Sequence, residues 1–160
     1  MADGGNSPTA GSDLLQRVNS CAYYRLIGFE VLEAGSGTAH LRLPVHPELF
    51  QFQNAVHGGA IYSVADAAVA VALLTEASPG EDAVTIEGNL NFLAPVTAGE
   101  ITALGRIIHR GRRIAVGDAE VRRSDGRLCA KGLFTYTLVR PLPVTLARAG
   151  AEPSGQSEDT

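Results

Sequence analysis

The sequence predicts an α+β domain in which an antiparallel β-sheet is wrapped around one long central helix. Residues 60–74 are largely apolar, and Asp66 is their only charged residue, a composition typical of a helix buried on every side. A hairpin pattern precedes this run, and a series of strand patterns follows it. One buried helix among strands that succeed one another along the chain favours a sheet curled around that helix.

Two elements precede the long helix. Residues 12–28 begin with cap-type residues, have apolar positions at helical spacing and end at Gly28, so we expect a first helix there. Residues 29–45 alternate apolar and polar side chains around the Gly-Ser-Gly sequence at 35–37, which predicts a β-hairpin. Residues 47–59 follow as a loop.

The long helix is expected to start at Gly59 and to end before Pro79 and Gly80, which cannot continue it. Asp66 carries the only formal charge between Ala60 and Leu74. A buried carboxylate without a partner is costly, so packing alone does not explain this residue. We interpret it as catalytic; the alternative is an aspartate that meets a hydrogen-bonding partner across an interface.

Strand patterns fill the rest of the domain, at residues 83–95, 99–110, 112–124 and 126–140. Turn signals separate them, among them Ser124-Asp125-Gly126, and apolar residues alternate clearly in the last three. Strands this long leave unpaired edges, which favour association with another chain.

Length and composition describe one globular domain, with 160 residues of which 45% are hydrophobic. We assign this domain to residues 13–140 and expect disordered tails at 1–12 and 141–160. The apolar run is shorter than the roughly 20 residues of a membrane span, and we find no secretory signal. A cytoplasmic protein without membrane contact is therefore the expectation.

The metal-binding and nucleic-acid-binding classes are disfavoured. The two cysteines have no metal or redox spacing, and His40 and His46 lack partners at metal-ligand spacing, so we expect no metal. Nine of the 13 basic residues fall between Arg106 and Arg140, although the net charge is −4. A basic strip on an acidic protein suits a small polyanion better than a duplex. The alternative is a solvated hairpin face.

Three motifs carry a family resemblance: "QFQNAVHGGAIYSVAD" at 51–66, "NLNFLAPVTAGE" at 89–100 and "HRGRR" at 109–113. In this order they resemble the hotdog-fold acyl-CoA thioesterases, specifically the PaaI-like and 4-hydroxybenzoyl-CoA thioesterase group. The resemblance covers about residues 15–139. It implies a hotdog fold and hydrolysis of an acyl-CoA, with no cofactor because CoA is part of the substrate.

The resemblance also implies two catalytic groups. The amide of Gly58, at the start of the helix, polarises the thioester carbonyl, and Asp66 acts as general base or nucleophile. The physics agrees, because an amide at a helix N-terminus has no intrahelical partner and lies at the positive end of the helix dipole. A carboxylate in an apolar setting can activate water or attack an acyl carbon. The sequence leaves both routes open.

The spacing of these groups requires a second chain. Gly58 and Asp66 are eight residues apart, which is about 12 Å along a helix. One carbonyl cannot lie within about 3.5 Å of both groups. We therefore expect a homodimer with shared active sites, and the family adds the expectation of a homotetramer built as a dimer of dimers.

Further site residues are carried over from the family one at a time. Gln51 is expected to orient the carboxylate or water, His57 to contact the thioester or the loop, and Thr85 to hold the water. His57 has the alternative of a hydrogen-bonded loop histidine, Thr85 that of a plain strand threonine, and Phe92 that of a core residue. The residues expected to contact substrate or CoA are Asn54, Gly59, Asn91, Phe92, Pro95, Arg110, Arg112 and Arg113.

The sequence departs from the family pattern at two points. In relatives, glutamine at the position of Gln51 usually occurs with a glutamate in the helix, whereas aspartate at the position of Asp66 usually occurs with asparagine. Ala70 stands where some relatives place Ser or Thr.

Two rival functions stay open. An acyl-CoA sensor is the first rival, although residues 1–28 are too short for the DNA-binding helix pair that sensors bring. A hydratase is the second, although no histidine follows Asp66 before His109. The acyl group is open between aryl or arylacetyl, as in phenylacetate degradation, and a short or medium chain.

Overall fold

The computed structural model describes residues 10–140 of the chain. Its helices are α1 (Ala10–Asn19), α2 (Ala22–Ile27) and α3 (Gly58–Leu74), with a 3₁₀ turn at Pro47–Leu49. Its strands are β1 (Glu30–Gly35), β2 (Thr38–Pro44), β3 (Asp82–Phe92), β4 (Glu100–Arg110), β5 (Ile114–Arg123) and β6 (Leu128–Val139). Both predicted tails lie outside the described residues, except that 10–12 belong to α1.

The six strands form one sheet in the order β1-β2-β4-β5-β6-β3, and every neighbouring pair is antiparallel. Helix α3 packs against β2, β3, β4 and β5. The predicted α+β architecture is confirmed, and the four predicted long strands correspond to β3 to β6. Within residues 10–140, no helix combines the length and the hydropathy of a membrane span.

The predicted single helix over 12–28 is wrong, because the chain forms α1 and α2 with a break at Cys21, whose backbone is extended at φ −58° and ψ 125°. The side chain of Asn19 explains the break. Its Nδ2 donates to the carbonyl oxygen of Val31 (3.1 Å), and its Oδ1 accepts from the amide of Val31 (2.8 Å). This pair of bonds ties the end of α1 to β1. Gly28 ends α2 in the left-handed conformation, as predicted.

The predicted hairpin is confirmed. Gly35 pairs with Thr38 across the turn, and the two residues between them have positive φ, 49° at Ser36 and 72° at Gly37. Two central residues with positive φ define the turn whose twist matches that of antiparallel strands. The local sequence therefore fixes the β1–β2 pairing.

Helix α3 begins at Gly58, one residue earlier than predicted, and ten of its 17 residues are buried. It is not buried on every side, which corrects the sequence-based expectation. Tyr62, Ser63, Asp66 and Ala70 are only partly buried and form a stripe along one face. The hydroxyls of Tyr62 and Ser63, the carboxylate and the small Ala70 distinguish this stripe from the apolar faces.

Two glycines allow α3 to lie directly on the sheet. A Cβ on Gly105 of β4 would lie 2.3 Å from the main-chain carbon of Ala68, and one on Gly117 of β5 would lie 2.4 Å from Cγ1 of Val69. Such distances are far below van der Waals contact, so neither position accepts a side chain without moving the helix. The place of α3 on the sheet depends on both glycines.

Strand β3 is one edge of the sheet and pairs only with β6 among the described residues. It is 11 residues long and exposes apolar side chains, with Val84 at 47%, Ile86 at 55% and Phe92 at 55%. A long apolar edge strand is a template for pairing with another chain. This edge lies next to the partly exposed stripe of α3.

We predict that Gly105→Ala destabilises the protein by about 3 kcal/mol or more, because the new methyl group collides with the backbone of α3. The matched control is Gly35→Ala, where a Cβ meets no atom within 4 Å and φ is not positive; its effect should stay within about 1 kcal/mol. Urea unfolding of both variants measures the difference. Equal stabilities would contradict the close packing of helix on sheet.

Candidate active site

The start of α3 leaves one amide free. His57 is the N-cap, extended at φ −60° and ψ 136°, and its Nδ1 accepts a hydrogen bond from the amide of Gly59 at 2.8 Å. The amides of Ala60 and Ile61 donate to the carbonyl oxygen of His57. The amide of Gly58 has no acceptor among the described residues. It therefore offers a donor at the positive end of the helix.

A hydrogen bond joins the side chain of His57 to the amide of Gly59, so the histidine has a structural role. Since Nδ1 accepts a hydrogen bond from the Gly59 amide, a neutral His57 ring carries its proton on Nε2. The Gly59 amide is occupied by this bond, so it differs from Gly58. Contact of either residue with a substrate stays a prediction.

A pocket of about 480 Å³ opens beside Gly58. Apolar side chains make most of its wall, and its lining residues are Gln51, Phe52, Ala55, Val56, His57, Gly58, Ile61, Phe92, Leu93, Ala94, Pro95 and Val96. Five of these were predicted as site residues. The others were missed, although Leu93 and Ala94 lie between the predicted Phe92 and Pro95. Asn54, Gly59 and Asn91 do not line the pocket.

Phe92 lies directly over the start of α3. A Cβ added to Gly58 would approach Cζ of Phe92 to 3.1 Å, which is tighter than ordinary contact. The ring is 55% exposed, so Phe92 is not a core residue. It forms part of the pocket wall next to the free amide.

Gln51 belongs to the loop that borders the same pocket. Its side-chain Oε1 accepts a hydrogen bond from the main-chain amide of Gln53 at 3.0 Å. Its main-chain amide donates to the carbonyl oxygen of Ala55 at 2.8 Å. Asn54 makes the turn of this loop with φ 59°. No hydrogen bond joins Gln51 to Asp66 within the described part of the chain. The predicted role of Gln51 in orienting the carboxylate stays a prediction.

Asp66 lies two turns further along α3 and is partly buried. Its Oδ1 accepts from Oγ1 of Thr85 at 3.1 Å and from the hydroxyl of Tyr136. The same hydroxyl lies 2.7 Å from the main-chain oxygen of Asp66. Oδ2 has no hydrogen-bond donor among residues 10–140. One carboxylate oxygen is therefore held and the other is open.

Thr85 and Tyr136 reach Asp66 together because they are register partners on β3 and β6. The prediction that Thr85 lies at the site agrees with this contact, although its role in holding water stays a prediction. Sequence reasoning missed Tyr136 completely. The sequence around Tyr136 is an ordinary alternating strand pattern and gives no sign of a functional residue. Only the pairing of β6 with β3 shows that Tyr136 lies beside Thr85 and Asp66.

Three tyrosines near Asp66 are held in the protonated form. Burial raises the pKa of Tyr136, and the charge of Asp66 raises it further. Burial, Cys21 and Asp66 raise the pKa of Tyr24 to about 12. Burial and then the charges of Asp66 and Glu87 raise the pKa of Tyr62. At neutral pH these groups are donors, and their rings give the carboxylate an aromatic surrounding.

The basic turn lies at the Asp66 end of the sheet. Arg110 pairs with Ala115 across the β4–β5 turn, Ala115 pairs with Tyr136, and Tyr136 pairs with Thr85. Arg110, Arg112 and Arg113 are exposed. The turn thus presents three guanidinium groups beyond the row of strands that carries the contacts to Asp66.

A single chain keeps the two predicted catalytic groups apart. Gly58 lies under Phe92, whereas Asp66 is bonded to Thr85, seven residues away on β3. Since α3 is continuous from Gly58 to Leu74, the two groups are separated by about 12 Å along its axis. The pocket and the carboxylate form two half-sites on one subunit.

Comparison with known proteins shows relatives over most of the described chain. The sequence pattern of the Thioesterase superfamily matches residues 53–130. A candidate esterase of Saccharolobus solfataricus is 32% identical over 117 residues, which are 73% of this chain and 77% of that protein.

Two solved structures share the fold. A thioesterase of Haemophilus influenzae is 25% identical with a TM-score of 0.75, covering 84% of this chain and 93% of that one. The PaaI protein of E. coli, from the phenylacetic acid degradation operon, is 24% identical with a TM-score of 0.72, covering 78% of this chain and 88% of that one.

Proposed function

The chain belongs to the thioesterase superfamily, with the hotdog fold that its three motifs implied, and we propose that it hydrolyses an acyl-CoA thioester to a free acid and CoA. The observation that carries the proposal is the free amide of Gly58 at the wall of an apolar pocket. A main-chain amide at a helix start is a fixed donor for the oxygen on which negative charge develops.

The chemistry divides between the two groups. The Gly58 amide donates to the thioester carbonyl oxygen, which becomes negative as a nucleophile adds to the carbon. In the general-base route, Asp66 takes a proton from water while the water oxygen attacks. In the nucleophilic route, a carboxylate oxygen attacks first and water releases the acid from the resulting anhydride. In both, the carbon–sulfur bond breaks and the thiolate of CoA leaves.

The edge strand supports a composite site in a twofold dimer. Antiparallel pairing of two β3 strands about Asn89 sets Gly88 of one subunit opposite Leu90 of the other, and the bulge between Thr85 and Glu87 then brings Thr85 opposite Phe92. Thr85 is bonded to Asp66, and Phe92 covers Gly58. This register therefore joins the two half-sites that one chain keeps apart. It also covers the exposed Val84 and Ile86.

The proposal also covers the acyl group, the compartment, the assembly and the residues that bind CoA. The aromatic surrounding of Asp66 and the PaaI relationship support aryl or arylacetyl groups, and the apolar pocket also suits short to medium chains. We infer a cytoplasmic enzyme that assembles as a dimer of dimers, as the family resemblance implies. The basic turn is proposed to bind CoA phosphates, since guanidinium groups pair with phosphate in a forked geometry.

We predict that Gly58→Pro abolishes thioester hydrolysis, with a loss of about 100-fold or more in kcat, because proline has no amide hydrogen. Proline is favoured at the first position of a helix, and the extended His57 is compatible with a following proline, so α3 should still form. Thiol release from a panel of acyl-CoA substrates measures the activity.

The matched control is Gly58→Ala, which adds a Cβ against Phe92 but keeps the amide; it should retain far more activity than the proline variant. Asp66→Asn should be nearly inactive while remaining folded. Equal losses in the Pro and Ala variants would overturn the role of the amide.

Binding of acyl-CoA without turnover by the unaltered protein would indicate a sensor, and a change in enoyl-CoA absorbance would indicate a hydratase.

Removal of two guanidinium groups tests the basic turn. The variant Arg112→Ala/Arg113→Ala should raise KM for an acyl-CoA by about 30-fold, since the loss of two phosphate contacts of roughly 1 kcal/mol each removes about 2 kcal/mol of binding. With the same acyl group on pantetheine, which lacks the nucleotide phosphates, KM should be unchanged. A matched rise with both substrates would contradict phosphate binding at this turn.

A further inference from the structure

We propose that Tyr136 is a positioning residue that locks Oδ1 of Asp66 and so makes Oδ2 the reacting oxygen. The inference rests on the proposed thioester hydrolysis and deepens it, because it assigns the reactive atom. Tyr136 belongs to none of the three motifs that carry the family resemblance.

The hydroxyl of Tyr136 holds Asp66 at two points. It donates to the side-chain Oδ1 and lies 2.7 Å from the main-chain oxygen of the same residue. A contact to both ends of one residue fixes the side chain relative to its own backbone. The tyrosine ring is 1% exposed and anchored in β6, so the hydroxyl has a rigid support.

The two carboxylate oxygens are unequal as a result. Oδ1 accepts two hydrogen bonds, from Tyr136 and from Thr85 at 3.1 Å. Oδ2 accepts none from the described residues, although Asp66 lies on the partly exposed stripe of α3. Hydrogen bonds withdraw charge from the oxygen that accepts them. The free electron pairs therefore remain on Oδ2, which can take the proton or attack the acyl carbon.

A single hydroxyl hydrogen serves both acceptors without movement of the ring. While Asp66 is ionised, the charge-assisted bond to Oδ1 is the stronger one. After Asp66 gains a proton, the hydroxyl can turn toward the main-chain oxygen 2.7 Å away. Burial and the charge of Asp66 raise the pKa of Tyr136, so the hydroxyl keeps its proton at neutral pH. The donor is thus in place before the reaction begins.

Tyr136→Phe tests the role, because phenylalanine fills the same space and removes only the hydroxyl. We expect kcat to fall about 30-fold while KM changes less than about twofold, since Tyr136 is buried and is proposed to act through Asp66. The control Tyr23→Phe also removes one tyrosine hydrogen bond, to Ser63 at 2.8 Å, one turn from Asp66. It should retain the kcat of the unaltered protein.

A double-mutant cycle separates positioning from packing. If Tyr136 acts through the carboxylate, Tyr136→Phe should cause no further loss in an Asp66→Asn background. The same 30-fold loss in both backgrounds, or an unchanged kcat in the single variant, would overturn the proposal. An unaltered protein that hydrolyses no thioester would instead defeat the proposed function.

A second variant covers the case in which Tyr136→Phe does not fold. Site-specific 3-fluorotyrosine at position 136 keeps the ring and the hydroxyl but makes the hydroxyl a stronger donor. A stronger bond to Oδ1 draws charge from Oδ2, so kcat should fall while the unfolding temperature stays the same. An unchanged kcat in this folded variant would overturn the role of Tyr136.

Discussion

The rigidity of α3 is the constraint on which the rest of the structure depends. A continuous helix keeps Gly58 and Asp66 about 12 Å apart, a separation that no side-chain rotation can close. The glycines at 105 and 117 bring its backbone onto the sheet, where small movements collide with β4 and β5. A reaction that needs both groups therefore needs two copies of the helix, and the geometry of one subunit is the basis of the proposed composite site.

Strand β3 connects the chemistry with the assembly. Near one end, Thr85 holds the carboxylate of Asp66, and at the other end Phe92 covers the amide of Gly58. Between them β3 is a free edge among the described residues, with Ile86 exposed, and this edge suits a second β3 strand in antiparallel register. The residues that position each half-site are thus set along the same strand that would pair two subunits. In the proposed dimer, association and catalysis depend on one register.

The sequence predicted the features that rest on local chemistry. Alternation predicted β4 to β6, the Gly-Ser-Gly sequence predicted the turn at 35–37, and the lone charge singled out Asp66. The break at Cys21 was missed because it depends on Asn19 bonding to Val31, a contact between distant parts of the chain. Tyr136 was missed for a similar reason, since its partner is set by strand register and not by spacing.

Subunit mixing tests the composite site most directly. Chains carrying Gly58→Pro and chains carrying Asp66→Asn, each inactive alone, are given different tags, co-expressed and purified as the mixed dimer. If each site takes its amide from one subunit and its carboxylate from the other, one of the two sites is intact, and the mixed dimer should have about half the activity of the unaltered dimer. A mixed dimer as inactive as its parents would contradict the account.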